Sequence, residues 1–439
     1  MSATEKRHSM ADKRRWPRYG LEPGLQAILF LGLFVYVWKG IEPHLLYYGF
    51  GVFTPYPVFS LEASFFRTAL STPGGILSAL AALLAQSYSH AWVGALVIVT
   101  VLAVLLLGIQ RLLRSIQAAK FRDLAWIPVI LALMVYNHYE NPLPILLALN
   151  LSVWTAILYG SLGARTLSAR AGLFLLFFAI VYYWAGASAF VLAWIVCLSE
   201  ALRHRKLIGA ILSIALAFGG AFVLGHLVFD LELQAAFTTG TPWDPSSGLQ
   251  FLAPFSLLPA VLYAFVPGLM LLASLAGVAI KVAAKMRMGR RKQKAQPTEQ
   301  PKRLRRGHAY DRRLWIALRL LLVTATAVLG LLFSRTHIHN ERALHYYAQQ
   351  RNWDQVIALA HRMRGKQTFT RAGMFEVNRA LAHRGSLGNE FCAYPQDGAK
   401  ALFLSFKEIT GRLQYAKLLE WYLDLGCLNA AEKNVYELL

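Results

Sequence analysis

Apolar residues fall in long blocks along this chain, separated by short polar or basic stretches. A hydrocarbon core about 30 Å thick needs roughly 20 mostly apolar helical residues to cross it. Inside lipid each backbone polar group must find a partner within the structure, and a helix supplies one from its own segment. The blocks predict nine spans: Leu21–Trp38, Ala91–Ile109, Leu124–Asn137, Pro144–Ser161, Ala171–Trp184, Ser188–Leu202, Leu207–Val228, Leu257–Val282 and Leu314–Phe333. The expected fold class is all-α, a polytopic helical membrane bundle. The two segments around Gly186 are short for spans, and so is the run "PGGILSALAALLAQSY" (Pro73–Tyr88). If that run crossed the membrane, the basic loop Gln110–Arg122 would face outward, against the positive-inside bias. It therefore reads as an interfacial helix.

Charge sets the orientation. Only 15% of residues are charged, with 45 Lys and Arg against 23 Asp and Glu. The basic excess sits beside the apolar blocks. It marks topology and contacts anionic headgroups at the inner face; it does not argue for nucleic acid. Residues 1–20 are basic and lead into an apolar run with no small-residue cleavage site, the pattern of a signal anchor with its N-terminus inside. The loop Phe229–Ser256 carries Asp230, Glu232 and Asp244 but no Lys or Arg, so it belongs outside. The stretch Lys285–Arg313 is basic and contains proline, which suits an inner linker. Nine spans starting inside leave the C-terminus outside. The expected organisation is a transmembrane domain over 21–333, with a first outer loop at 39–90, and a soluble helical tail over 334–439.

The tail carries an internal repeat. "YYAQQRNWDQVIALA" reads helix, tight turn, helix, and the pattern returns at "NRALAHRGSLGNEF" and "WYLDLGCLNAAEKNVYELL". From Trp353 to Leu387 is 34 positions, the tetratricopeptide period; Leu387 to Leu428 is 41. Gly385 and Gly426 let a helix stop. Trp353, Leu387 and Leu428 are expected to wedge between paired helices, and Ala431 lets a pair approach closely. A stacked tail of this kind offers a surface for a protein partner. Cys392 and Cys427 both lie in the tail, on the side where a disulfide between them could form.

No nucleotide-binding loop, metalloprotease motif or paired CxxC occurs, and no metal site or cofactor is implied. The helix centres lack the charged or broken pairs that a transporter uses at midplane. Ionisable residues gather instead at the predicted outer ends: Glu42, His44, Glu62, Arg67, His90, His138, Glu140, His226, Asp230 and Glu232. His138 and Glu140 belong to the turn "YNHYENP", which an ordinary hairpin explains unless it meets Glu42 or Glu62 across an outer cavity.

Two resemblances follow from these residues. The signal anchor running into "GIEPHLLYY", then an aromatic loop and an interfacial helix, is similar to the GT-C membrane glycosyltransferases. That likeness implies a lipid-linked sugar donor and a catalytic carboxylate at Glu42, with Glu62 second. Those enzymes usually carry Asp there, and more spans. The elements "PGGILSALAALLAQSY", "YYWAG" (Tyr182–Gly186) and the repeat tail resemble an uncharacterised family of bacterial multi-pass membrane proteins. That family implies an inner-membrane location with a periplasmic tail, and supplies no reaction.

Overall fold

The computed structural model describes residues 23–49, 59–137, 139, 143–163, 166–204, 207–244, 258–294, 321, 324, 336–366, 369–396, 402 and 412–438. The basic N-terminus 1–20, His138, Glu140 and most of the last expected span, 314–333, lie outside them. The described residues are helical and contain no strand.

In chain order, α1 is Pro23–Tyr36, α2 Pro43–Gly49, α3 Ala63–Ser71, α4 Gly75–Ala85, α5 Ala91–Ser115, α6 Trp126–Asn137, α7 Leu143–Leu162, α8 Leu167–Ala185, α9 Ala189–Ser199, α10 Leu207–Ala221, α11 Leu233–Thr238 and α12 Leu258–Lys294. The tail adds α13 Thr336–Gln349, α14 Trp353–Met363, α15 Arg371–His383, α16 Leu387–Glu390, α17 Arg412–Asp424 and α18 Leu428–Leu438. Five helical runs are long and apolar enough to cross a membrane: Ala91–Ser115, Leu143–Leu162, Leu167–Leu202, Leu207–Val228 and Leu258–Gly277. The apolar runs Gln26–Ile41 and Gly75–Ser89 are shorter. The expected span at Leu124–Asn137 is cut to 12 helical residues, because a 3₁₀ stretch over Ala119–Ala125 precedes it.

The run Leu167–Leu202 is bent. The rings of Phe178 and Phe190 lie 5.9 Å apart, where a straight helix would separate their backbones by about 18 Å. Gly186, at φ 63° and ψ −149°, makes the reversal. Around it the chain is knotted by short bonds: Gly74 N–H donates to the Tyr183 carbonyl (3.0 Å), and Ala187 N–H donates to the Thr239 carbonyl (2.8 Å). Ser188 Oγ donates to the Gly240 carbonyl (2.6 Å). The core of the bundle packs α5 on α7, α7 on α9 and α9 on α10 and α12.

Gly74, at the N-cap of α4, bonds to the Tyr183 carbonyl, and α4 leads to Tyr88, whose hydroxyl lies 3.3 Å from that of Tyr136. Tyr183 ends α8 and Tyr136 lies at the end of α6, so α4 starts and finishes at one end of the bundle. Ile41, Tyr139 and the Gly186 reversal share that end.

Three tail turns close alike. Arg351, Gly385 and Gly426 adopt positive φ. In each, the next N–H reaches back to an earlier helical carbonyl: Asn352 to Tyr347 (2.9 Å), Ser386 to Leu381 (2.9 Å) and Cys427 to Tyr422 (2.8 Å). This left-handed closure satisfies carbonyls that a helix end otherwise leaves open. Trp353 and Leu387 then pack against the core, and Ala431 is buried where α17 meets α18. Leu428 does not wedge as expected. It is 67% exposed. Cys392 and Cys427 are exposed free thiols, so the disulfide considered from sequence is not formed.

Candidate functional site

The sequence Gly40-Ile41-Glu42-Pro43 puts a carboxylate between an apolar helix and a proline. Proline disfavours helical backbone in the residue before it, so the helix must break at Glu42. α1 widens into a π-turn at Val37–Ile41, and Glu42 then turns left-handed at φ 55° and ψ 78°. Its N–H donates to the Val37 carbonyl (3.1 Å), and its own carbonyl accepts from Leu45 N–H (2.8 Å). Such a backbone costs about 1–3 kcal/mol away from glycine and persists only where its surroundings hold it.

The tail supplies the facing wall, since α13 packs against α2. His339 Nε2 lies 3.7 Å from Glu42 Oε2, and His44 Nε2 lies 4.0 Å from the same oxygen. Tyr139, the middle of "YNHYENP", sets its ring edge-on to His339 with centroids 5.9 Å apart. Its hydroxyl donates to the Ile41 carbonyl (2.9 Å), and the Arg342 guanidinium lies 5.3 Å from its ring centre. His44 meets Tyr346 edge-on at 4.6 Å. Three separate stretches of chain therefore converge on one half-buried carboxylate.

Burial pushes the Glu42 carboxyl up, with the Lys39 ammonium partly opposing it. Burial lowers both imidazoles, and His339 lowers His44 further. A carboxylate beside two imidazoles that favour the neutral form can accept or relay a proton. No group of three His, Cys, Asp or Glu among the described residues is placed to hold a metal ion.

Two residues along α13, Glu341 is buried and its carboxyl is pushed up to about 7, with Arg342 opposing the shift. A carboxyl raised in the folded state contributes stability that is full below its unfolded value near 4.5 and is lost as pH rises through about 7. Glu341→Gln is expected to flatten this dependence. Between pH 5 and pH 8 the wild-type tail should lose up to about 3 kcal/mol more than the variant. Hydrogen exchange of residues 336–349 across that range checks it, and equal slopes would refute it.

Other expected residues lie apart from this cluster. Glu62 caps α3, is exposed, and accepts from Ser64 Oγ (3.1 Å). Arg67 lies on an exposed face of α3, and Asp230 is exposed in a left-handed turn. His226 Nδ1 contacts the Leu231 carbonyl at 2.8 Å. Among the described residues, none of these four bonds to the Glu42 cluster. Glu42, His44 and Tyr139 do come together, and the tail's His339 joins them; His138 and Glu140 lie outside the described residues.

A family model matches residues 19–439, nearly the whole chain. The chain belongs to DUF6057, a family of unknown function. No curated protein and no solved structure matches it.

This DUF6057 protein also holds a polar network inside its tail that sequence reading missed. Glu376 on α15 is fully buried. It pairs with Lys417 on α17, with His345 on α13 (3.3 Å) and with Arg379 Nη1 (2.9 Å). Arg379 continues to Glu420 (2.7 Å) and Asp424 (2.7 Å). Burial alone would raise the Glu376 carboxyl, but Lys417, His345 and Arg379 together hold it well below the usual range. Burial and the Lys417 charge push His345 down to about 4, so it is neutral near neutral pH. In sequence these residues read as scattered surface charges. Only their spacing on separate helices, unknown before folding, brings them into one core.

Proposed function

We propose that this DUF6057 member is an integral protein of the bacterial inner membrane whose helical tail, on the outer side, binds a protein partner. The observation that carries the reading is the last face of the tail. On α18, Leu428, Val435 and Tyr436 recur at i, i+7 and i+8 and are all exposed, with Leu423 and Leu425 exposed at the preceding turn. Leu428 and Tyr436 are 67% and 70% exposed. A soluble repeat stack ends in a polar capping face; an apolar end face invites a further helix. The partner implied is an amphipathic helix laid along α18 as another repeat would be.

A photo-crosslinking residue at Tyr436 in cells should give one adduct of defined mass, and Leu425→Asp should abolish it. The same residue placed at Arg362, exposed on α14, should give several-fold less. Diffuse or absent adducts at Tyr436 would overturn the reading. The transferase alternative draws support from the packing around Glu42; its second carboxylate, Glu62, is exposed and bonded to Ser64 Oγ on α3.

A further inference from the structure

We infer that α3 is a membrane-surface helix that holds a bilayer phospholipid, with Arg67 on the lipid phosphate and an acyl chain along the groove beside it. The helix has nine residues and buries none of them. A shallow, open groove runs along one side, lined by Ala63, Phe66, Arg67, Leu70 and Ser71, with Leu61 at its end. Counted from Ala63, these helical positions are i, i+3, i+4, i+7 and i+8, a single helical face. Leu61 is 84% exposed, and Phe66 and Leu70 are exposed with it. The other side is polar: Glu62, Ser64 and Thr68 bond among themselves and to the helix backbone.

Position on the bundle identifies the occupant. Tyr183 Oη donates to the Leu70 carbonyl (3.0 Å), and Gly74, just beyond α3, bonds to the Tyr183 carbonyl. α3 is thereby fastened at the level where the apolar helix α8 ends. Trp92, Trp184 and Trp243, at neighbouring helix ends or turns, are also exposed. Exposed tryptophans at that level mark the water–lipid boundary. The apolar face of α3 is thus continuous with the lipid-facing surface of the spans. An isolated arginine in such a face keeps its stem in the apolar layer and its guanidinium at headgroup depth. No acid among the described residues pairs with Arg67. The two non-bridging oxygens of a phosphodiester offer the bidentate partner that the planar guanidinium prefers. The Phe59, Phe65 and Phe66 rings, edge to face at 5.5–6.1 Å, stiffen the start of the helix.

The test uses the full chain, with Cys197, Cys392 and Cys427 replaced by serine, in nanodiscs containing phosphatidylglycerol. A nitroxide at Leu70→Cys should be several-fold more accessible to oxygen, relative to an aqueous nickel chelate, than one at Thr68→Cys. Leu61→Cys gives the same reading from outside the helix if Leu70→Cys fails to fold. Equal ratios on the two faces would overturn the surface placement. In native mass spectrometry, Arg67→Glu should lower retained phosphatidylglycerol several-fold, and Arg67→Lys should keep most of it. Excess inorganic phosphate should not displace the lipid. Unchanged retention in Arg67→Glu, or displacement by free phosphate, would overturn the lipid site.

Discussion

Replacing Lys417 by methionine is expected to destabilise the terminal hairpin of the tail by about 3 kcal/mol. Lys417 is fully buried against Glu376, which is itself fully buried. Removing one partner of a buried ion pair leaves the other charge in a poor solvent, and this usually costs about 3–5 kcal/mol. The low end applies because Arg379 still bonds Glu376, although it must also serve Glu420 and Asp424. Hydrogen exchange over residues 412–438 in the intact protein reads the effect, as faster exchange of α17 and α18. Adding Glu376→Gln should restore much of the protection, since no buried charge then lacks a partner. If the double variant is no better than Lys417→Met, the loss is one of packing rather than charge.

Gly186→Ala is expected to cost the apolar helical bundle about 3–5 kcal/mol. Its backbone angles lie in a region essentially reserved for glycine, and a Cβ there would overlap the Thr239 carbonyl oxygen. The obstruction is mutual, because a Cβ at Gly240 would stand 2.7 Å from the Ala185 carbonyl oxygen. Relieving either clash pulls apart the bond from Ala187 to Thr239 that closes the reversal. Thermal unfolding of the detergent-solubilised protein should show the loss as a marked fall in Tm. Gly32→Ala is the control: it lies in α1 with nothing near a new Cβ, so its Tm should hold or rise slightly. Equal effects at both positions would show that the reversal at Gly186 is not under this constraint.

The two variants probe different kinds of legibility. Gly186 stood out in the sequence as the break in "YYWAG" between two short apolar runs. Its partners, Thr239 and Gly240, are more than fifty positions away and carry no local signal of pairing. Lys417 and Glu376 were invisible as a pair for the same reason. A charged residue on an amphipathic helix reads as solvated until the neighbouring helix is known.

Glu42 shows both halves of the division. Local chemistry was enough to mark it: a carboxylate just before a proline, at the end of an apolar helix, must sit at a helix break. Local chemistry also dictates the all-helical fold, the long apolar helices and the three left-handed tail turns. Each of these depends on residues a few positions apart, or on side chains meeting lipid or water directly. Tertiary structure alone decided that His339 of the tail faces Glu42, that Glu62 and Arg67 belong to a separate surface helix, and that Leu428 ends an uncovered face. Those outcomes depend on which helices pack together, and short-range sequence pattern does not encode the contacts between distant segments.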